Sequence, residues 1–171
     1  KDDYLFVRSR LISRIKKIDG LYKKIELRTD EKDYFRYTKD PDGNERNLIN
    51  EDEGRSEFAK NEIDFLDGFL KPDMTLLDIG CGTLAITKKY KNLPVELWGV
   101  EPDEEAGIIG KGRAHKFFIN TIENVADDIP DNYFDVIFAF HVIEHVAEPI
   151  GFIKTVNRKL KSGGMLIIAT P

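Results

Sequence analysis

A layered α/β domain built around a mostly parallel sheet is what this sequence predicts, and three observations carry the prediction. Five short apolar runs, at 75–79, 97–100, 116–119, 134–140 and 165–169, are rich in β-branched and aromatic residues and too brief for helices. They are spaced by about 15 to 30 residues, enough for the helical crossovers that parallel strands require. A glycine turn, Gly80-Cys81-Gly82, directly follows the first run, and an acidic residue, Glu101, closes the second. Helices are therefore expected on both faces of the sheet, with the strands buried between them.

The segments before the sheet read differently. Between Tyr4 and Ile25 the apolar residues Leu11, Ile15, Ile18, Tyr22 and Ile25 recur every three or four positions with Lys and Arg between them. That is the period of an amphipathic basic helix, or of two helices divided near Asp19-Gly20. Such a face caps the main domain, or touches an anionic membrane surface or a protein partner; packing on the domain is the favoured reading. Residues 29–55 are polar and contain the turn Asp40-Pro41-Asp42-Gly43-Asn44, so a loop or short hairpin is expected there. Ser56 starts a helix whose apolar side is Phe58, Ile63, Phe65, Leu66, Phe69 and Leu70 and which Lys71-Pro72 ends. The chain thus divides into an N-terminal helical and loop extension over 1–55 and a sheet domain over 56–171.

Composition narrows the function. The chain has 171 residues, 41% hydrophobic and 33% charged, which suits one domain with its own core and excludes a disordered polymer. No run reaches the roughly 20 apolar residues of a membrane-spanning helix. Cys81 is the only cysteine, so neither an intrachain disulfide nor a cysteine-rich zinc site is expected, and a reducing cytoplasm is the expected compartment. Residues 1–28 carry nine basic and four acidic side chains against a net charge of −5 for the whole chain. The remainder is strongly acidic, and no nucleic-acid partner is expected.

The chemistry concentrates at the ends of the predicted strands. Glycines at a strand-to-helix turn let the backbone approach a ligand where a Cβ would intrude. About 20 residues further on, Glu101 stands where a carboxylate can accept hydrogen bonds from both hydroxyls of a ribose. The pairing points to an adenosine-containing ligand. After the fourth run, His141, Glu144 and His145 fall close together; on a helix beginning at Val142, His141 and His145 would share a face with Glu144 beside it. Two histidines and one acid lack the further ligand of a metal cage, so no metal is expected, and His141 or His145 is read as a general base or acceptor contact. Cys81 reads as a small buried packing residue, and Trp98, Phe138 and Phe140 as core or pocket wall.

Four motifs in order, Leu-Leu-Asp-Ile-Gly-Cys-Gly-Thr at 76–83, Gly-Val-Glu-Pro-Asp at 99–103, Asp-Ile-Pro-Asp-Asn-Tyr-Phe-Asp-Val-Ile at 128–137 and Leu-Lys-Ser-Gly-Gly-Met-Leu at 160–166, resemble the Rossmann-like (class I) S-adenosylmethionine-dependent methyltransferases. The resemblance extends to small-molecule and quinone-type members, which carry similar His-x-x-Glu-His segments after the fourth strand. It implies S-adenosyl-L-methionine as cofactor and methyl transfer to a small-molecule, lipid-linked or sugar acceptor. It also implies roles. Asp78 would approach the methionine amino group; Gly80, Cys81 and Gly82 would form the loop against the methionine and ribose. Glu101 would hold the ribose hydroxyls, with Pro102 and Asp103 flanking the adenine and Asn120, Thr121 and Ile122 contacting its ring. Phe140 and His141 would face the transferred methyl group, with His145 nearby.

Two departures from the family pattern stand out. Leu84 occupies the position where many members carry a third glycine, which narrows the room beside the loop. The family's order also implies a helix and two further strands beyond Pro171, so the chain is expected to be truncated and the outer edge of the fifth strand to need cover. These departures keep a second reading open, a non-catalytic scaffold or partner-binding module of the same fold. A third, a nicotinamide-dependent oxidoreductase, shares the glycine loop and ribose acid but is disfavoured by Asp78 and by the Lys161-Ser162-Gly163-Gly164 turn.

Overall fold

The computed structural model of the chain describes residues 6–7 and 59–170. Six parallel strands form one sheet: β1 (Phe6–Val7), β2 (Met74–Ile79), β3 (Val95–Val100), β4 (Lys116–Phe118), β5 (Phe134–Phe140) and β6 (Leu160–Ala169), in the order β1-β6-β5-β2-β3-β4. The five apolar runs are all strands. Four α-helices are described: α1 (Lys60–Phe69), α2 (Glu104–Lys111), α3 (Ile122–Val125) and α4 (Pro149–Lys159). Because side chains alternate along each strand, the sheet carries two cores. Leu77, Ile79, Ile137 and Leu166 pack with Ile122 and Val125 of α3 and Phe152 and Val156 of α4. On the opposite face Leu76, Leu97, Val136 and Phe138 pack with Leu66 of α1. The layered arrangement read from sequence is therefore present, with helices on both faces.

Several local expectations change. Phe6-Val7, inside the stretch read as a basic helix, pairs with Ile167 and Ile168 as a strand, so the outer edge of β6 is partly covered by the chain's own N-terminal part. The rest of that helix, the 29–55 loop and residues 56–58 lie outside the described residues. In α1, Leu66 is fully buried, but Phe65 is 40% exposed; the face is narrower than its apolar count implied. Among the described residues no helix is long and apolar enough to cross a membrane.

At the amino ends of the strands a polar brace ties β2, β5 and β6 together. The Asp135 carboxylate accepts hydrogen bonds from the Thr75 backbone N–H at 2.8 Å and its hydroxyl at 3.0 Å, and pairs with Lys161 at 2.7 Å. Lys161 begins the bulge that lets five steps of β6, from Leu160 to Met165, oppose two of β5, from Phe134 to Val136.

Candidate functional site

The carboxyl ends of β2, β3 and β5 converge on the glycine turn. Gly80 donates to the Val100 carbonyl at 2.8 Å, stitching the loop to β3. Gly80 and Gly82 both hold positive φ, +63° and +53°, which a glycine adopts without the clash a Cβ brings. Space confirms the need at Gly80: an added Cβ would lie 2.5 Å from a methyl carbon of Val142, on the turn after β5.

Leu84 is the surprise of the loop. It too lies in the left-handed region, with φ +61°, yet its side chain is fully buried beside Leu66, Leu76 and Tyr90. Residues 84–90, whose composition is compatible with a helix, instead form a series of turns leading into a 3-10 helix, Lys88–Asn92. A left-handed residue breaks the run of right-handed dihedrals that a helix requires, which accounts for the difference.

Two buried carboxylates flank the loop. Asp78 is 3% exposed, and its Oδ2 accepts a hydrogen bond from the Thr87 hydroxyl at 2.5 Å. Burial pushes its pKa up, the Thr87 bond opposes that, and the charge of Glu101 adds to the rise, leaving it at about 7. No ion pair involving Asp78 is found among the described residues. Glu101, also 3% exposed, accepts from the Gly82 N–H through Oε2 at 2.7 Å and from the Asp103 N–H through Oε1 at 2.8 Å. It therefore shapes the loop.

The remaining expected contacts divide. Pro102 is half-buried. Asp103 is committed to the fold: its carboxylate caps α2 by accepting from the Ala106 N–H at 2.8 Å. Asn120 is exposed and accepts from Thr121 N–H and the Asn124 amide. Ile122 is 3% exposed and packs in the core. Cys81 is half-buried, less enclosed than expected, although its surroundings and the negative charges of Asp78 and Glu101 hold its thiol well above its ordinary value.

The histidine segment also differs from its expected form. Residues Ile143–His145 make a single 3-10 turn, not a helix, so His141 and His145 do not share a face at helical spacing. The turn instead brings His141 Nδ1 to 3.1 Å from Glu144 Oε1. His141 holds φ +53° and its N–H donates to the Ala169 carbonyl at 2.7 Å, fixing the end of β5 to the end of β6. The ring meets Phe140 edge-on at 4.2 Å, and Phe140 stacks on buried Phe138 at 6.0 Å. Among the described residues no group of three or more His, Cys, Asp or Glu is arranged to hold a metal ion.

Sequence reasoning missed Thr87 and Val142. Thr87 lies nine residues past Asp78 in a stretch whose composition is compatible with a helix, and Val142 was expected to start one. Both contacts depend on irregular turns, and the only sequence signal was Leu84 standing where a glycine was expected.

S-Adenosylmethionine fits what these residues offer: a buried carboxylate for an ammonium group, a second carboxylate for a ribose diol, and a turn where a Cβ has no room. The comparisons with known proteins agree. A family model described as a methyltransferase domain matches residues 52–171. A ubiquinone biosynthesis O-methyltransferase from Idiomarina loihiensis is 28% identical over 137 residues, covering 77% of this chain and 54% of that protein. The corresponding protein of Nitrobacter winogradskyi is 32% identical over 103 residues, 57% of this chain and 38% of its own length. The chain thus spans about half or less of the length of these relatives. Among solved structures, a SAM-dependent methyltransferase from Archaeoglobus fulgidus superposes with a TM-score of 0.62 at 22% identity, over 72% of this chain and 57% of that one. That likeness shows the fold. With the family model spanning 52–171, well over half of the sequence, the chain belongs to the methyltransferase-domain family.

Proposed function

We propose that the protein binds S-adenosylmethionine at the ends of β2 and β3 and transfers its methyl group to a hydroxyl of a small-molecule acceptor beside β5. The observation that carries this reading is the pair of buried carboxylates, Asp78 and Glu101, on either side of the Gly80-Cys81-Gly82 turn. Asp78 would accept the amino group, and Glu101 the ribose hydroxyls, sharing its oxygens with the Gly82 and Asp103 N–H groups. When bound, the cofactor supplies an activated methyl group on a sulfonium, so the protein's task is to align and desolvate. An acceptor hydroxyl must lose its proton as it attacks. His141, its Nδ1 held by Glu144, would take that proton at Nε2. The O-methyltransferase relatives support an oxygen acceptor. A cytoplasmic location goes with this reading.

A non-catalytic scaffold is the second reading, favoured by Val142 packing against Gly80 and by Leu84 filling the side of the loop. Calorimetric titration with S-adenosylmethionine and, separately, NAD decides between them. Saturable binding of the first and none of the second is expected; if a folded sample binds neither, the enzyme reading fails. Given binding, His141→Ala is expected to leave cofactor affinity within about twofold and to slow methyl transfer to a catechol acceptor by about a hundredfold.

A further inference from the structure

We propose that Thr87 is a positioning residue for the cofactor: its buried hydroxyl holds one oxygen of Asp78 so that the other is presented to the cofactor's ammonium group. This rests on the S-adenosylmethionine reading above and names the residue that prepares its acidic contact.

Two independent features of the structure single out Thr87. Its side chain is fully buried, with the hydroxyl 2.5 Å from Asp78 Oδ2, and among the described residues no other hydrogen bond to the Asp78 side chain is found. Thr87 also occupies the N-cap of the 3-10 helix Lys88–Asn92, where a threonine hydroxyl ordinarily accepts from the helix's own N–H groups, yet it makes no such cap. The hydroxyl is turned inward to the carboxylate instead. The left-handed Leu84 lies three residues before it, between the glycine turn and the 3-10 helix.

The surroundings make this bond consequential. Glu101 faces Asp78 from the end of β3, the Cys81 thiol from the loop, and the Tyr90 hydroxyl from the 3-10 helix, itself bonded to Asp67 of α1 at 2.9 Å. From β5 the paired residue is Phe138, which is uncharged. Arg113 reaches the loop but bonds the Thr83 carbonyl at 3.0 Å. A bound ammonium therefore meets a carboxylate poised near neutrality, and its arrival draws the proton off Asp78. The Thr87 bond favours the ionised carboxylate. Without it Asp78 stays protonated to higher pH and the ammonium loses its counter-charge.

The test is calorimetric titration of the purified chain with S-adenosylhomocysteine, which carries the same ammonium group and undergoes no methyl transfer. Wild type, Thr87→Ser and Thr87→Val are compared from pH 6 to pH 9 in two buffers of different ionisation enthalpy, with thermal melts to show that each is folded. Wild-type binding is expected to tighten as pH rises and to release a proton below neutrality. Thr87→Ser should match it within about twofold, whereas Thr87→Val should bind about tenfold more weakly at pH 7 and shift the midpoint of the pH dependence upward. The gap should narrow by pH 9, where Asp78 ionises in both. A gap that is the same at every pH, a Thr87→Val chain that binds like wild type, or a Thr87→Ser chain as impaired as Thr87→Val overturns the proposal. If wild type itself fails to bind at any pH, the cofactor reading falls and this proposal with it.

Discussion

Two aspartates at opposite ends of adjacent strands of one sheet have contrasting surroundings. Asp135, at the amino end of β5, is surrounded by its complement: Lys161 at 2.7 Å and two donors from Thr75. Burial alone would raise its carboxyl, but these partners outweigh it and hold the group below its usual range. Asp78, at the carboxyl end of β2, has a single hydroxyl donor and a second carboxylate as neighbour, and is pushed up to about 7. The first is a closed interaction that stabilises the fold. The second leaves negative charge wanting a cation, which is a poor way to hold a protein together and a good way to receive a ligand.

Disabling the receptive end should have the larger consequences. Glu101→Ala is expected to leave the buried Gly82 and Asp103 N–H groups without their acceptor, destabilising the chain by about 3 kcal/mol in chemical denaturation and abolishing measurable S-adenosylmethionine binding. A variant that keeps wild-type stability would show that the carboxylate does not shape the loop. Asp78→Asn should weaken cofactor binding by about a hundredfold without lowering stability at pH 8, because it removes a buried charge and keeps an acceptor for Thr87. Its pH behaviour follows from the direction of the shift. A raised carboxyl contributes stability that is fully present below the ordinary value of 3.8 and is lost as pH rises through about 7. The ligand-free wild type should therefore lose stability across that interval, and Asp78→Asn should lose less. Equal slopes for the two would break the contrast.

At the fastening end the effect is smaller and opposite in sign. Asp135 has a lowered carboxyl, so its contribution is present above the ordinary value and lost as pH falls through the folded one. Because Lys161 is 42% exposed and its ion pair partly screened, Asp135→Asn should cost about 1 kcal/mol at neutral pH and leave cofactor affinity unchanged. A change in affinity would mean that the two ends are coupled through β2 and β5.

The sequence disclosed the receptive end far better than the turns around it. The strands showed themselves because β-branched runs buried on both faces leave a continuous apolar signal, and β5 falls on the same residues, 134–140, in sequence and structure. Asp78, Gly80, Gly82 and Glu101 showed themselves because each stands at a fixed distance from a strand end. The segment from Leu84 to Asn92 did not. Its composition suits a helix, and the dihedral that diverts it belongs to a leucine, a residue whose local preference argues against that conformation. The same holds after β5, where His141 at positive φ turns an expected helix into a single 3-10 turn. In both places tertiary packing overrode local propensity, and the contacts that resulted, Thr87 with Asp78 and Val142 with Gly80, had no signature along the chain beyond Leu84 standing where a glycine was expected.

Leu84 also shows how core burial can outweigh an unfavourable backbone dihedral. A left-handed leucine costs about 1 to 2 kcal/mol against glycine in backbone strain, while erasing a buried leucine from a packed core loses about 2 to 5 kcal/mol. Leu84→Gly is therefore expected to be a net loss of stability, because the void left among Leu66, Leu76 and Tyr90 outweighs the strain relieved. The fold thus holds this bend through its core and not through local backbone preference.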